Sequence, residues 1–164
     1  MSQSRPLDPP SGLARVTQRL REVHHPHPPI WLDVAARTSQ EAATALGVQV
    51  GQIAKSVMFR RRADDAAVLV VTSGDRRVDV AKVAAKLGAL ARADAEFVKQ
   101  ATGFSIGGVA PLAHLTAPLT LVDRDLFRFA SVWAAAGHPN AVFQTSPDQL
   151  LVLTGAPVAD VTEA

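Results

Sequence analysis

The chain has 164 residues, of which 48% are hydrophobic and 20% charged, and it contains no cysteine. This length and balance are ordinary for one folded domain, and the lack of cysteine excludes disulfides, thiolate nucleophiles and metal sites built on cysteine. The net charge is only +2, yet residues 51–100 carry ten Lys and Arg against six Asp and Glu. Any chemistry must therefore use hydroxyls, carboxylates, histidine, lysine, backbone amides or groups of the substrate.

The first ten residues, MSQSRPLDPP, are polar and rich in proline. We expect them to form a flexible tail ahead of a single domain over residues 11–160. They lack the apolar segment of a secretory signal, and no run elsewhere approaches the ~18 apolar residues that a membrane helix needs. We therefore expect a cytoplasmic protein without a membrane partner.

Two helices come next, and the sequence predicts where each begins and ends. Ser11 can cap a helix that the prolines of residues 24–29 must end. Thr38 and Glu41 form a T-x-x-E capping box that opens a short helix, which Gly47 closes. The apolar residues of the first helix recur at helical spacing, at Leu13, Val16, Leu20 and Val23.

Three histidines, His24, His25 and His27, lie in the run HHPHPP. The prolines prevent the i, i+4 helical face on which two imidazoles could share a metal ion. A surface loop is the favoured interpretation, and we expect no metal and no other cofactor.

Two apolar, β-branched runs at residues 52–59 and 66–72 predict a pair of strands joined by the charged turn RRRADD. Residues 73–75 (SGD) predict a further turn. Arg60, Arg61 and Arg62 in the charged turn could attract an anionic polymer or could form a solvated rim.

The rest of the sequence predicts both helices and strands. Asp79 caps a helix that ends at Gly88, and Asp94 caps another that ends at Gly103. Strands are predicted at residues 119–123 and 140–145 with a further segment around Trp133, and a last helix starts at Pro147. The fold class is therefore α/β of the mixed α+β kind, one domain with a mixed β-sheet flanked by helices.

Lys55 is unusual because Ile53, Val57 and Phe59 share its parity in the predicted strand. Its stem could lie along the core while the ammonium reaches solvent at the sheet edge. Alternatively, it could hold an anion or a carbonyl oxygen. The spacing leaves both interpretations open.

The segment at residues 103–111, GFSIGGVAP, is the second unusual element. Adjacent glycines let the backbone approach a ligand closely and turn its amides toward a developing negative charge. A tight turn between a helix and a strand is the alternative. His138 in the sequence GHPN could be a pocket residue or a turn residue fixed by Pro139.

In their order, the segments IAKSVMF, VVTSGDRRVDVAKVAAKLG, ATGFSIGGVAPLAH, VDRDLF and AGHPNAVF resemble the YbaK/prolyl-tRNA synthetase-associated family of aminoacyl-tRNA editing domains, over residues 36–160. The resemblance implies one α/β domain with a barrel-like mixed sheet. It also implies a free-standing deacylase that acts in trans on tRNA charged with the wrong amino acid, often a proline tRNA carrying Cys or Ala.

The resemblance assigns catalytic roles to Lys55, which would hold the charged 3′ end, and to Gly107 and Gly108, which would line the scissile ester. His138 falls where some related deacylases have an H-P pair. The candidate substrate-binding residues are Ser56, Gly103, Phe104, Ser105, Val109, Pro111 and His138, and the candidate tRNA-binding residues are Arg60, Arg61 and Arg62.

The expected function is substrate-assisted hydrolysis of the aminoacyl ester, because the terminal adenosine brings a neighbouring hydroxyl and a cysteinyl group brings a thiol. The expected partners are the acceptor end of mischarged tRNA and, by the same resemblance, prolyl-tRNA synthetase. One alternative is a non-catalytic tRNA- or synthetase-binding module of the same fold. Another is a small-molecule-binding protein, whose apolar pocket would lack a basic rim.

Overall fold

The computed structural model describes residues 11–164, so the predicted tail over residues 1–10 lies outside the described residues. Within the described range the chain forms five α-helices, two short 3-10 helices (Val50–Gln52 and Arg124–Arg128) and eight strands. The helices are α1 (Gly12–Glu22), α2 (Ser39–Leu46), α3 (Val80–Leu87), α4 (Ala95–Thr102) and α5 (Pro147–Thr154). The strands are β1 (Ile30–Trp31), β2 (Ile53–Arg61), β3 (Ala67–Ser73), β4 (Leu90–Arg92), β5 (Leu119–Asp123), β6 (Val132–His138), β7 (Ala141–Thr145) and β8 (Val158–Ala159).

All five predicted helices are confirmed with their predicted caps. The side chains that cap the helix starts each accept a hydrogen bond from a backbone amide of the first turn, and α2 has the complete capping box of Thr38 and Glu41. Gly47, Gly103 and Gly155 end their helices in the left-handed conformation that favours glycine.

The sheet has the strand order β1-β7-β6-β2-β3-β5-β8, and β4 pairs with β2 beside this path. β2 is antiparallel to β3 and parallel to β6, while β5 is parallel to both β3 and β8. The predicted mixed sheet flanked by helices is therefore confirmed.

β3 is the buried centre of the sheet, since every one of its residues is buried. Leu69 and Val71 pack into the main core with α1, α4 and α5, whereas Val68 and Val70 pack on the opposite face against α3. Because both of its faces are buried, the sequence of this strand is a nearly continuous apolar run and does not alternate with polar residues. A third, smaller cluster joins α2 to Ile53 and Trp133.

The sequence did not predict the short strands β1, β4 and β8, and it located β6 only as a segment around Trp133. Strands of two or three residues have no periodicity of their own, and their pairing partners are distant in the sequence. β6 is rich in Ala and Gly, which have low strand propensity. Among the helices of residues 11–164, none is both long and apolar enough to span a membrane.

Candidate functional site

A gap in the sheet forms a cleft within residues 11–164. On the side away from β3, β2 pairs with β6 at Ile53 and Ala54 and with β4 from Phe59 to Arg61. Residues 55–58 thus have no strand partner on that side within the described chain. A cleft of about 780 Å³ opens there, and it is lined by six consecutive residues of β2, so both faces of the strand contribute.

Most of the remaining wall comes from five further segments. These are the first turn of α2, the turn at Gly74, the glycine loop after α4, and the strands β6 and β7, with Val98 of α4 beside them. The lining residues used below are Arg37, Lys55, Ser56, Met58, Val98, Gly107, Val109, Ala134, His138 and Ala141. Its volume lies in the range of pockets that hold a ligand larger than one small amino acid.

Lys55 lies on the face of β2 that carries Ile53 and Val57, as the parity predicted. Its ammonium forms neither an ion pair nor a hydrogen bond with any residue of the described range. Burial lowers the pKa of this ammonium below its ordinary value, the nearby charge of Arg77 lowers it further, and Asp75 raises it. An unpaired, half-buried cation in a cleft is available for an anionic or carbonyl group of a ligand.

Ser56 lies on the opposite face of β2, toward the main core. Its hydroxyl oxygen is buried and has no hydrogen-bond partner in residues 11–164. Around it the cleft wall is apolar, formed by Met58, Val98 and Ala134. A buried hydroxyl without a partner loses its hydrogen bonds to water and gains none in return.

We expect Ser56→Ala to raise the free energy of unfolding by about 1 kcal/mol, because the substitution removes a desolvated hydroxyl that bonds to nothing. Ser73→Ala is the matched control. The Ser73 hydroxyl donates to the Gly51 carbonyl and accepts from Arg128, so its loss should lower the stability. Denaturant titration of both variants measures the two signs. A destabilised Ser56→Ala variant would show that the hydroxyl has a partner in solution.

The glycine loop faces Lys55 across the same cleft. Gly107 has φ +96°, and a Cβ there would lie 3.1 Å from Cγ of Arg37. The Gly107 amide has no acceptor among the described residues, whereas the Gly108 amide donates to the Ser105 carbonyl at 3.0 Å. Of the two amides that the sequence suggests for a developing negative charge, Gly107 therefore has an available donor in this structure, whereas the Gly108 donor is already used.

Gly108 instead permits a close approach of two backbones. A Cβ at this position would lie 3.0 Å from N, Cα and C of His138. This approach brings the loop against the end of β6. His138 lines the cleft, and its Nδ1 accepts from the Asn140 amide, so it is both a pocket residue and a turn residue.

Val109 also lines the cleft, but four other predicted substrate-binding residues do not. Gly103 is the cap of α4 and packs on Arg15. Phe104 is 1% exposed within the core, where its large ring is buried with α1. Ser105 is exposed on the outer side of the loop, and Pro111 is buried beneath it. The structure therefore does not bring these four residues into the cleft with Lys55, and their role in substrate binding stays a prediction.

Residues 103–107 also match the G-x-S-x-G pattern of serine hydrolases. That pattern needs a strand before the serine and a helix after it. Here the helix α4 precedes Ser105 and a loop follows it, and Ser105 is outside the cleft lining. The pattern therefore does not provide a nucleophile in this fold.

Arg60, Arg61 and Arg62 lie at the far end of β2 and are not in the cleft lining. Arg60 pairs with Asp65, and Arg61 pairs with Asp64 and holds the pKa of that carboxyl at about 2. Arg62 donates to the Leu90 carbonyl. These bonds use part of the donor capacity of the cluster, and its role in tRNA binding stays a prediction.

A polar network fixes the turn that borders the cleft beside Lys55. Arg128 donates to Asp75 at 2.8 Å and to the Ser73 hydroxyl at 2.7 Å. The carboxylate of Asp123, which is fully buried, accepts from Thr72 and from the Ser73 amide. The turn at residues 73–75 is thereby held against the segment that precedes β2 and against the start of α2, where a Cβ at Gly74 would overlap the Val50 carbonyl and the Ser39 side chain.

Sequence reasoning missed Arg37 as a cleft residue and did not connect Arg77 with Lys55. Arg37 precedes the capping box of α2 and gives no signal of its own in the sequence. Arg77 belongs to the basic middle of the chain, but only the turn at residues 73–75 brings it near Lys55. Of the described residues, no group of three His, Asp or Glu is arranged to hold a metal ion, and His25 contacts the Gln144 carbonyl at 2.8 Å.

Comparison with protein families matches residues 33–153 to a model described as the aminoacyl-tRNA editing domain. The uncharacterized protein YwhH of Bacillus subtilis (strain 168) is 34% identical over 119 residues, which are 72% of this chain and 75% of that protein. The proline–tRNA ligase of Lactobacillus helveticus (strain DPC 4571) is 30% identical over 111 residues, or 66% of this chain. The chain spans only 19% of that ligase.

Two solved structures are also similar to this chain along most of its length. A structure described as that of a candidate trans-editing enzyme for prolyl tRNA synthetase is 38% identical, with a TM-score of 0.87 over 99% of this chain and 100% of that one. The hypothetical protein APE2540 is 31% identical, with a TM-score of 0.84 over 91% of this chain and 99% of that one.

Proposed function

We propose that this chain, which belongs to the aminoacyl-tRNA editing domain family, hydrolyses the ester of mischarged tRNA in trans. The observation that carries the proposal is that Lys55 and Gly107 line one cleft. Had they been on opposite faces of the domain, the two roles implied by the family resemblance would have failed together.

The reaction requires little from the protein beyond positioning. Water attacks the carbonyl carbon of the aminoacyl ester, the bond to the ribose oxygen breaks, and the products are a free amino acid and the ribose hydroxyl. An aminoacyl ester is already activated, and the neighbouring ribose hydroxyl can help to orient the water. A side-chain nucleophile is therefore not needed, which agrees with a chain that lacks cysteine.

Lys55 and Gly107 supply the electrostatic part of the proposal. The Lys55 ammonium anchors the phosphate or the carbonyl region of the charged 3′ end as a point charge. The available Gly107 amide donates to the oxyanion that forms when water attacks. Both groups are fixed before the reaction, Lys55 by the strand β2 and Gly107 by the turn against Arg37.

The apolar wall on the Ser56 side of the cleft is the proposed site of the amino-acid side chain. Met58, Val98, Val109 and Ala134 leave space for a small group there. A difference of one methylene is worth only about 1 to 3 kcal/mol in such a site. Selection by size therefore favours small residues, and we propose Cys or Ala on proline tRNA as the substrates.

A panel of tRNAs charged with Cys, Ala, Ser or Pro tests the proposal. We expect release of at least one small mischarged amino acid well above the rate without enzyme, with Pro on its own tRNA left intact. Salt-dependent binding of the charged tRNAs without any release would instead identify a non-catalytic binding module.

The pH profile of the reaction should report the state of Lys55. The charged form is the active one, so activity falls as the pH rises through the Lys55 pKa, and that pKa lies below the ~10.4 of an ordinary lysine. We expect Arg77→Ala to move this alkaline limb to higher pH, because the repulsion of a like charge is removed.

Arg92→Ala is the control for loss of one exposed arginine away from the cleft. Rates measured from neutral to alkaline pH, corrected for hydrolysis without enzyme, give the limb for each variant. An Arg77→Ala limb that coincides with that of the unmodified protein would show that the charge of Arg77 does not act on the titrating group.

A further inference from the structure

Of the Phe and Trp residues in the described chain, Trp31 has the most exposed side chain. It lies in β1, the two-residue edge strand that pairs with β7, and 58% of its surface is accessible. Tryptophan is enriched at the binding surfaces of proteins, where its large ring supplies contact area. The fold places this ring outside the core without using it for packing against a hydrophobic cluster.

The Trp31 ring lies outside the cleft lining, beside the ring of His138. Its centroid is 4.8 Å from that of His138, with the two planes inclined by 41°. His138 lines the cleft, and so does Ala141, the strand partner of Trp31. The two rings together form an aromatic surface, which we call the Trp31–His138 platform.

Positive charge flanks this platform. Arg37 lines the cleft with its stem against Gly107, and its guanidinium forms no ion pair with any described residue. Lys55 lies deeper in the same cleft. An aromatic surface beside unpaired cations suits an unpaired nucleotide, whose base stacks while its phosphate is neutralised. A purely apolar protein segment would gain nothing from the two cations.

We propose that the Trp31–His138 platform stacks on the base of the 3′-terminal nucleotide of the RNA substrate. The inference rests on the proposed function for the position of the ester, which is at Lys55 and Gly107. The base is attached to the same ribose as the ester, so it must lie within one nucleoside's length of these residues. His138 satisfies that requirement because its backbone lies against Gly108, the residue after Gly107. Arg37, whose stem lies against Gly107, is placed to meet the adjoining phosphate.

Two RNA hairpins that carry no amino acid test the platform without requiring hydrolysis. One ends in an unpaired adenosine, and the other is identical except that its last nucleotide lacks the base. Their dissociation constants are measured at one fixed salt concentration for the unmodified protein, Trp31→Ala, Trp31→Phe and Val152→Ala. Val152 is an 81% exposed apolar residue on α5 outside the cleft lining, so it controls for general loss of surface hydrophobicity.

We expect Trp31→Ala to weaken binding of the adenosine-ended hairpin about tenfold, because one base–aromatic stack is lost. Trp31→Phe keeps a ring and should retain most of the affinity, and Val152→Ala should retain all of it. The hairpin without the terminal base should bind the unmodified protein about tenfold more weakly, with no further loss in Trp31→Ala. In the deacylation reaction, Trp31→Ala should raise KM and leave kcat nearly unchanged.

Equal loss of affinity for both hairpins in Trp31→Ala would overturn the platform, since Trp31 would then contact something other than the base. An unmodified protein that binds both hairpins equally would overturn it as well. Failure of the proposed function is a separate result: it appears as absent release of amino acid from charged tRNA, and the hairpin measurements do not depend on it.

Discussion

Lys55→Ala is expected to lower kcat/KM for deacylation of a mischarged tRNA by about 10²- to 10³-fold, the range seen when one preorganised electrostatic contact is removed from an active site. The reason is that the unpaired ammonium in the cleft is half-buried, so a charged ligand group interacts with it through less water than at an open surface. Fold stability should not decrease, since the ammonium makes no bond to another described residue that its removal could break.

Two further variants separate charge from packing. Lys55→Met keeps an unbranched stem without the charge, so it should be as inactive as Lys55→Ala if the ammonium carries the effect. Lys86→Ala removes an exposed lysine from the last turn of α3, outside the cleft lining, and should retain full activity. An active Lys55→Met variant would show that the stem, and not the charge, contributes.

The division of the loss between kcat and KM identifies what Lys55 contacts. A contact with a phosphate of the substrate is made equally in the ground state and in the transition state, so its loss raises KM alone. A contact with the ester carbonyl strengthens as the oxyanion forms, so its loss lowers kcat. Single-turnover rates at saturating enzyme, beside steady-state kinetics, distinguish the two cases.

Gly108→Ala is expected to lower the free energy of unfolding by about 1 to 3 kcal/mol, because the added methyl group is forced against three backbone atoms of His138. The end of β6 cannot rotate away as a flexible side chain could. We further expect kcat/KM to fall about 100-fold, since a shift of even ~1 Å between Gly107 and the substrate misaligns the oxyanion donor. Thermal or denaturant unfolding and the deacylation assay measure the two effects.

Gly155→Ala is the matched control for this substitution. Gly155 ends α5 at φ +67°, and a Cβ there would have nothing within 4 Å. It should therefore cost about 1 kcal/mol through left-handed backbone strain alone and leave kcat/KM unchanged. A Gly108→Ala variant with full stability and activity would show that the approach of the glycine loop to His138 is not required.

The local elements of the fold could be predicted because their causes are local. A helix start depends on one capping side chain and the next three amides, and Ser11, Thr38, Asp79, Asp94 and Ser146 all provide that contact. The parity of Lys55 likewise follows from alternation along one strand. β1 and β8 could not be predicted, because each exists only through pairing with a strand far away in the sequence.

The glycine loop shows where the sequence is insufficient for a site. Seven of the nine residues at 103–111 are candidates from the sequence, but the chain turns there, so adjacent residues point in different directions. Phe104 points into the core and Ser105 points to solvent, while Gly107 and Val109 line the cleft. Direction in a turn depends on φ and ψ at each residue, which the residue types only restrict.

By itself, the sequence determined the five helices, the central strand pair, the family resemblance and the two chemical groups on which the proposed function depends, the Lys55 ammonium and the glycine loop. Only the tertiary structure decided that Lys55 and Gly107 share one cleft with Arg37 and that the Gly108 amide is already bonded. It also decided that Arg77 lies near Lys55 and that Trp31 lies beside His138. The physical reason is that these residues are far apart along the chain. They come together around the gap between β6 and β4, and this gap forms only when β2 has paired with β6 at one end and with β4 at the other.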